Sequence, residues 1–234
     1  MNKKFLIAGI LAIGAAAPAA AITTFATFSP NSTDNISYVG NSDGTGTISS
    51  TGAPVTFHFL DASGVTAVQD VAATLTFSAS TGPGSIVGGV LAYAPVTSGS
   101  FRLIADAPTS YMGHTGTNLL SGRFSGGVFT GSVGGSVGSL LNSLPPVAVA
   151  FTSSFLGFGS STARDISLAF DGINPPIGTS NGSFTGTVSG NFGADSSSGS
   201  PNTVPEPAAW ALMVAGFGLV GTAARRRAPV TVAA

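Results

Sequence analysis

Apolar and polar residues alternate along several stretches of the chain, and such alternation is typical of β-strands with one buried face. Between residues 71 and 78, Val71, Ala73, Leu75 and Phe77 fall on one side of an extended backbone, while Thr and Ser side chains fall on the other. The same alternation recurs at Val55, Phe57 and Phe59, at Val147, Val149 and Phe151, and at Ile166, Leu168 and Phe170. We expect these side chains to form the core faces of antiparallel strands.

Further strands are expected over residues 23–28, 36–39, 86–93 and 101–105. The composition agrees, because a chain rich in glycine, serine, threonine, phenylalanine and valine disfavours helices and favours strands joined by glycine turns. Strands that recur at this spacing are typical of a sandwich. The sequence therefore predicts an all-β ectodomain, an antiparallel β-sandwich, over residues 22–193.

One short repeat is visible inside this domain. Residues 129–135 read FTGSVGG and residues 184–190 read FTGTVSG. A β-solenoid would need several coils at a fixed period, which is not present, so two similar hairpin strands are the simpler interpretation. Between the two copies, residues 134–144 are expected to form an excursion with a short helical turn over Leu140, Leu141 and Leu144.

The first 21 residues have the pattern of a signal peptide. Lys3 and Lys4 precede an apolar run that reaches about Ala17, and the small residues Ala19 and Ala21 form an A-x-A cleavage site. An uncleaved anchor helix is the alternative, but the apolar run is short for a membrane span. We expect the mature chain to begin near Ile22.

Residues 205–227 have three consecutive parts. Pro205, Glu206 and Pro207 come first, the uncharged apolar stretch 208–224 follows, and then three arginines, Arg225, Arg226 and Arg227. A helix of seventeen residues spans roughly 26 Å, the short end of a membrane span, and an arginine cluster stops transfer on the cytoplasmic side. The sequence predicts a single transmembrane helix, a Ser/Gly/Pro-rich linker before it at 194–204, and a cytoplasmic tail at 228–234.

These residues resemble a known sorting signal. Pro205, Glu206, Pro207, Trp210 and Ala211, followed by an apolar helix and arginines, are similar to the PEPxxWA variety of the PEP-CTERM signal. The resemblance implies export from a Gram-negative type of bacterium and recognition of Pro-Glu-Pro by an exosortase, a membrane protease. Some proteins with this tail are named ice-binding, but the resemblance implies sorting and does not imply ice binding. Residues 228–234 extend beyond the arginines, where such tails usually end.

Charge and cysteine content exclude several classes of function. Outside the two terminal signals the chain has three arginines, Arg102, Arg123 and Arg164, no lysine and eight aspartates, a net charge of about −5. Such a domain offers no basic surface for a phosphate backbone, so we expect no nucleic-acid partner. The chain has no cysteine. Disulfides, thiol catalysis and thiolate metal sites are therefore excluded, and stability must come from a core.

Two short motifs match catalytic or cofactor patterns without the structural context that those patterns need. Residues 134–138, with Ser136 at the centre, match a nucleophile elbow, which must join a strand to a helix. Residues 216–221 match a dinucleotide fingerprint but lie inside the predicted membrane helix. We interpret the first as a Gly/Ser run and the second as a small-residue helix face.

The remaining candidates are histidines and aspartates. His58 lies on the polar face of its strand, and His114 lies in a Gly-rich loop, so polar surface is a simpler interpretation than a joint metal or acid-base site. Residues 41–46, with Asp43, have the oxygen donors of a calcium loop but no terminal glutamate. An Asx turn is the simpler interpretation. We therefore expect no catalytic residue, no metal and no cofactor.

Three classes of function remain. The first is a non-catalytic surface or matrix protein, held at the membrane and then released or attached to exopolysaccharide in a biofilm, with the exosortase as its processing partner. The second is a carbohydrate- or calcium-binding adhesive module, which would be indicated if Tyr38, Tyr93 and Tyr111 formed an exposed platform near the aspartates. The third is a secreted hydrolase, which would require Asp and His side chains to converge in one cleft.

Overall fold

The computed structural model describes residues 22–60, 66–142, 149–158, 164–178 and 182–195. These residues form twelve β-strands, and no helix occurs among them. The strands are β1 (Ile22–Pro30), β2 (Ile36–Gly40), β3 (Gly46–Leu60), β4 (Thr66–Thr81), β5 (Ser85–Val87), β6 (Leu91–Tyr111), β7 (His114–Ser125), β8 (Val128–Ser132), β9 (Gly138–Asn142), β10 (Ala150–Thr152), β11 (Arg164–Asn174) and β12 (Phe184–Asp195). All observed pairings are antiparallel. The expected all-β antiparallel class is confirmed.

The strands form one sheet that closes on itself. Apart from the short β5, which pairs only with β6, they occupy eight positions around the sheet. Strands β1 and β2 share one position between β3 and β12, β7 and β8 share the position beside β6, and β9 and β10 share the next. Because the last strand, β12, pairs with both β1 and β2, the chain runs up and down once around the closed sheet.

The two separate sheets of the expected sandwich are not established by these pairings, since all twelve strands belong to a single sheet. The predicted core faces are nevertheless correct. Every apolar residue named above for the alternating stretches at 55–59, 71–77 and 166–170 is buried, as are Val149 and Phe151. Val147 lies outside the described residues.

Aromatic side chains fill the interior. The Phe192 ring stacks on Phe101 with a centroid distance of 4.8 Å and on Phe28 at 5.9 Å. Around these rings Leu75, Phe77 and other core side chains leave no space for a water molecule. The middle of the closed sheet is therefore a packed core and not a ligand chamber.

Three segments differ from expectation. The strand expected over residues 86–93 is interrupted, because β5 ends at Val87 and a turn over residues 88–90 precedes the start of β6 at Leu91. Leu140 and Leu141 do not form a helical turn but lie in β9, where Leu140 pairs with Phe129 of β8 and Leu168 of β11. Leu144 lies outside the described residues. The glycine-rich stretch around His114 is not a loop but a hairpin: Tyr111 pairs with His114, and Met112 and Gly113 form the two-residue turn, both with positive φ.

Each end of the closed sheet has its own connections. At one end, named here the far end, lie the connections 41–45, 82–90 and 133–137 and the described residues 175–178 and 182–183 of the β11–β12 connection. At the other, named here the terminal end, lie the Met112–Gly113 turn and the two chain ends of the domain, where Ile22 pairs with Asp195. The chain therefore leaves β12 at the end of the sheet where β1 begins.

Candidate functional site

The predicted sorting residues Pro205, Glu206, Pro207, Trp210 and Ala211 lie outside the described residues. The same is true of the stop-transfer arginines, Arg225, Arg226 and Arg227, of the expected transmembrane helix at 208–224 and of the expected signal peptide. In the part of the chain that the structure describes, no helix is long and apolar enough to cross a membrane. The site predictions for the tail therefore remain predictions.

A cavity of about 280 Å³ opens at the far end of the sheet. Its wall includes the rings of Tyr38, Phe129 and Phe184 from three strands that converge there, together with Tyr93 and Ile177. Tyr38 stacks on Phe184 with a centroid distance of 5.1 Å, and the Phe129 ring stacks on Phe184 at 6.0 Å. A concave, mostly apolar wall with four aromatic rings and few hydroxyl groups can hold an uncharged group about the size of one ring.

Exposed apolar side chains lie next to this cavity. Ile86, Val87, Val90 and Leu91 belong to the hairpin formed by β5 and the start of β6, and each is more than a third exposed. The Val133 amide donates to the Val90 carbonyl oxygen at 2.8 Å, which fixes the hairpin against the β8–β9 turn. Asp43 is the single charged residue in the described parts of the four connections at this end. The far end is thus an apolar, nearly uncharged surface.

The three tyrosines do not form one platform. Tyr38 is buried and Tyr93 is 37% exposed at the far-end cavity. Tyr111 lies in the hairpin at the terminal end, where its ring stacks on Phe59 with a centroid distance of 4.1 Å. The arrangement that would indicate the adhesive module is therefore not present in these three residues.

Asp43 organises its own turn. Its Oδ1 accepts hydrogen bonds from the Thr45 amide at 3.0 Å and the Thr45 hydroxyl at 2.6 Å, and the Asn41 side chain donates to the same hydroxyl at 2.9 Å. The Thr45 hydroxyl and amide lower the pKa of the Asp43 carboxyl. This is an Asx turn, as expected. Among the described residues no three histidine or carboxylate side chains are grouped as metal ligands.

The histidines lie on different strands. His58 Nδ1 is 2.8 Å from Asp70 Oδ1 on the outer face, where the His58 side chain is 22% and the Asp70 side chain 75% exposed. His114 begins β7, which is separated from β3 by β4 and β6. An Asp–His pair is thus formed, but it lies on an open strand surface, and the second histidine is not part of it.

Ser136 lies between two strands. It belongs to the turn between β8 and β9, where its carbonyl oxygen accepts a hydrogen bond from the Ile173 amide at 2.9 Å. A nucleophile elbow joins a strand to a helix, so the strand–turn–strand context does not match it. The Gly/Ser interpretation fits the observed turn.

Two features were not found from the sequence. Arg164 binds two carbonyl oxygens beside β10, and Arg102 and Arg123 lie near each other on the outer face of β6 and β7. Both depend on which strands become neighbours. The signal available in the sequence was the rarity of cations in the domain, which indicates that each arginine could have a specific role.

The comparisons with known proteins concern the tail. Residues 203–227 match the family model described as the PEP-CTERM protein-sorting motif. The match covers the Pro-Glu-Pro segment, the apolar stretch and the arginine cluster. No curated protein and no solved structure matches the chain.

Proposed function

We propose a function that starts from one finding, the match of residues 203–227 to the PEP-CTERM protein-sorting motif. The motif supports exosortase-dependent sorting of an exported surface protein. We propose that the protein is first held in the membrane by residues 208–224, that an exosortase-type protease then processes the tail, and that the domain of residues 22–193 is a non-catalytic component of an exopolysaccharide matrix.

One observation supports the proposal that the domain is folded while the tail is processed. Both chain ends of the described domain lie at the terminal end of the closed sheet, through the Ile22 and Asp195 pair. Asp195 is followed by nine residues before Pro205, which reach at most about 30 Å when fully extended. This length is sufficient to keep a folded domain clear of the membrane while the Pro-Glu-Pro segment is processed.

The proposal that the domain is non-catalytic is supported by the surroundings of the His58–Asp70 pair. The Asp–His pair lies on the outer face with its carboxylate largely exposed to water, and the interior is packed with aromatic rings. Acid-base catalysis benefits from a cleft that excludes water around the reacting groups. A structural role for the domain fits these positions better than hydrolysis does.

The sorting proposal is tested with a C-terminally tagged chain in a host that contains the exosortase. Because a proline disfavours the helical conformation in the residue before it, the sequence predicts that Glu206 is presented on an extended strand that a protease can read. Glu206→Ala should block removal of the tag and leave membrane insertion intact. Replacing Arg225, Arg226 and Arg227 by serine should misplace the span, because the arginines are costly to move across the bilayer.

The matched control is Asn202→Ala, which lies just before the motif and should leave tag removal unchanged. If neither Glu206→Ala nor the arginine replacement alters tag removal, the sorting proposal is wrong and the segment is a plain anchor.

A further inference from the structure

The outer face of β4, β6, β7 and β10 carries a regular array of hydroxyl groups with two arginines among them. One row across the strands consists of Thr76, Arg102, Ser121 and Thr152. The next row consists of Ser78, Ser100, Arg123 and Ala150. Residues paired in this way point to the same face of an antiparallel sheet, so all eight side chains belong to one surface.

Arg102 and Arg123 are diagonal neighbours in this array. Arg102 pairs with Ser121, and Arg123 lies two residues further along β7. Diagonal positions of this kind are about 7–8 Å apart, close enough for two long side chains to reach one ligand. Both arginines are exposed. Within the described residues no carboxylate oxygen lies within 4 Å of either guanidinium group.

A shallow groove of about 340 Å³ lies between these side chains. Both arginines line it, with the hydroxyls of Ser100, Ser121 and Thr152. Ser121 donates its hydroxyl hydrogen to Asn118 Oδ1 at 2.6 Å, and its oxygen lone pairs remain as acceptors for a ligand hydroxyl. Ala150 stands opposite Arg123 and contributes only a methyl group, so the groove is open beside that guanidinium.

We propose that this groove binds a carboxylate-bearing sugar unit of an acidic polysaccharide. The planar guanidinium groups match a carboxylate with two parallel N–H donors, and the surrounding Ser and Thr hydroxyls match the hydroxyl groups of the sugar ring. The inference rests on the proposed function, which places the domain among extracellular polysaccharides, and it names the ligand class and the surface that binds it.

The lining also argues against nucleic acid. Single-stranded nucleic acid is held by aromatic side chains on which the bases stack, whereas the aromatic residue at this groove, Phe101, points its ring into the core and is 2% exposed. Two arginines at an open surface give weak binding for one site. An extended polymer carries many carboxylates, so one strand offers many equivalent positions to the same groove and raises the chance of occupying it.

The test uses the purified full-length chain in detergent and measures its binding to immobilised polygalacturonate at low salt. We expect binding that weakens as salt is raised, because exposed charges are screened. Arg102→Ala with Arg123→Ala should reduce binding at least tenfold. Replacing both by lysine should restore only part of it, because lysine keeps the charge and loses the planar fork.

The matched control has the same change in net charge at a different place. Val87→Asp with Val90→Asp adds two negative charges at the exposed far-end hairpin, which lies about ten residues along β6 from the groove. This variant should bind within about twofold of the unaltered chain if the arginines act locally. If both double variants lose binding equally, the effect is one of net charge and the groove assignment is wrong.

Parallel matrices of dextran, dextran sulfate and single-stranded DNA identify the ligand class. We expect little binding to neutral dextran and weaker binding to dextran sulfate and DNA than to polygalacturonate. Equal binding to dextran, or tighter binding to the sulfated polymer or DNA, would overturn the inference. These results are independent of the tag-removal assay. The groove assignment can therefore be wrong while the sorting proposal is correct, and the sorting proposal can be wrong while the groove assignment is correct.

Discussion

Gly122 of β7 lies directly opposite Phe101 of β6, and the Phe101 ring occupies the space where a side chain on Gly122 would be. A Cβ atom built on Gly122 would lie 2.5 Å from the ring and 3.0 Å from the Ala150 carbonyl oxygen. Gly99 and Phe124 form the same pair, as do Gly190 and Phe28. Glycines within strands therefore provide the room that large rings need on the concave face of the closed sheet.

We expect Gly122→Ala to destabilise the domain by about 1–3 kcal/mol, the range for overpacking a core, because neither the ring nor the backbone carbonyl can move freely. Gly157→Ala is the matched control, since a Cβ there meets no atom within 4 Å, and it should change stability by less than about 0.5 kcal/mol. Urea unfolding of the unaltered chain and of the two variants measures both changes in stability.

A double variant tests the mechanism. Phe101→Leu removes the ring edge, so Gly122→Ala should cost less in the Phe101→Leu background than alone. Strictly additive effects would show that the ring is not the obstacle.

The glycine pairs explain why some strands could be predicted and others could not. Strand β4 alternates cleanly from Val71 to Phe77, so its core face was visible in the sequence. Strand β7 was not predicted, for two reasons. Leu119 and Leu120 are consecutive and both fully buried, because the register with β6 shifts at this place. In addition, Gly116 and Gly122 interrupt the apolar pattern. A glycine opposite a phenylalanine looks like a turn residue until its partner is known.

Closure of the sheet and the groove between the two arginines could not be predicted from the sequence, for a similar reason. Closure depends on β12 pairing with β1 and β2, about 150 residues earlier in the chain. Local alternation gives the face of each strand but not the identity of its neighbour. In the sequence Arg102 and Arg123 are two of three scattered arginines, and only the register of β6 with β7 makes them diagonal neighbours.

Arg164 stabilises the part of the sheet where β10 and β11 come near without forming a ladder. Its Nη1 donates to the Val149 carbonyl oxygen at 3.1 Å, its Nη2 donates to the Phe158 carbonyl oxygen at 2.8 Å, and its guanidinium lies 5.9 Å from the Phe158 ring centroid. Hydrogen bonds from a charged donor contribute about 1.5–3 kcal/mol. Arg164→Met keeps much of the aliphatic packing and should lower the free energy of unfolding by about that amount.

The control for Arg164 is Arg102→Met, which removes the same charge from an exposed strand position. It should leave the midpoint of thermal unfolding nearly unchanged. If both methionine variants shift the midpoint equally, the effect comes from charge and not from the two carbonyl contacts.

Asn35 joins the break between β1 and β2 to β12. Its Oδ1 accepts a hydrogen bond from the Val188 amide at 2.9 Å, and the side chain is buried. Asn35→Ala leaves that amide without its partner in the interior, so we expect a loss of about 1–3 kcal/mol in urea unfolding. Asn31→Ala, in the same break, removes an exposed bond to Thr56 and should cost less than about 0.5 kcal/mol. Equal losses would refute the role assigned to Asn35.

Two aspartates give the domain opposite dependences on pH. Burial raises the pKa of the Asp165 carboxyl, against a smaller opposing effect of the hydrogen bond with the Gly193 backbone. The folded state therefore holds the Asp165 proton more tightly than the unfolded state does. Stability from this group is greatest below the ordinary pKa of an aspartate and decreases as pH rises through the raised value. The lowered pKa of Asp43 acts in the other direction, with stability that is present above the ordinary pKa and lost as pH falls through the lowered value.

Asp165→Asn and Asp43→Asn both remove one negative charge, so each is a control for the other. We expect Asp165→Asn to raise the free energy of unfolding at neutral pH, because it removes a half-buried charge. At about pH 3 the free energy of unfolding of this variant should approach that of the unaltered chain. Asp43→Asn should lower the free energy of unfolding at neutral pH, because a neutral amide accepts the two Thr45 hydrogen bonds less strongly. At low pH its free energy of unfolding should also approach that of the unaltered chain. Urea unfolding at several values between pH 3 and pH 7 measures both differences. If the two variants change stability in the same direction at neutral pH, general repulsion in an acidic domain dominates, and the opposite local environments assigned to the two carboxyls are wrong.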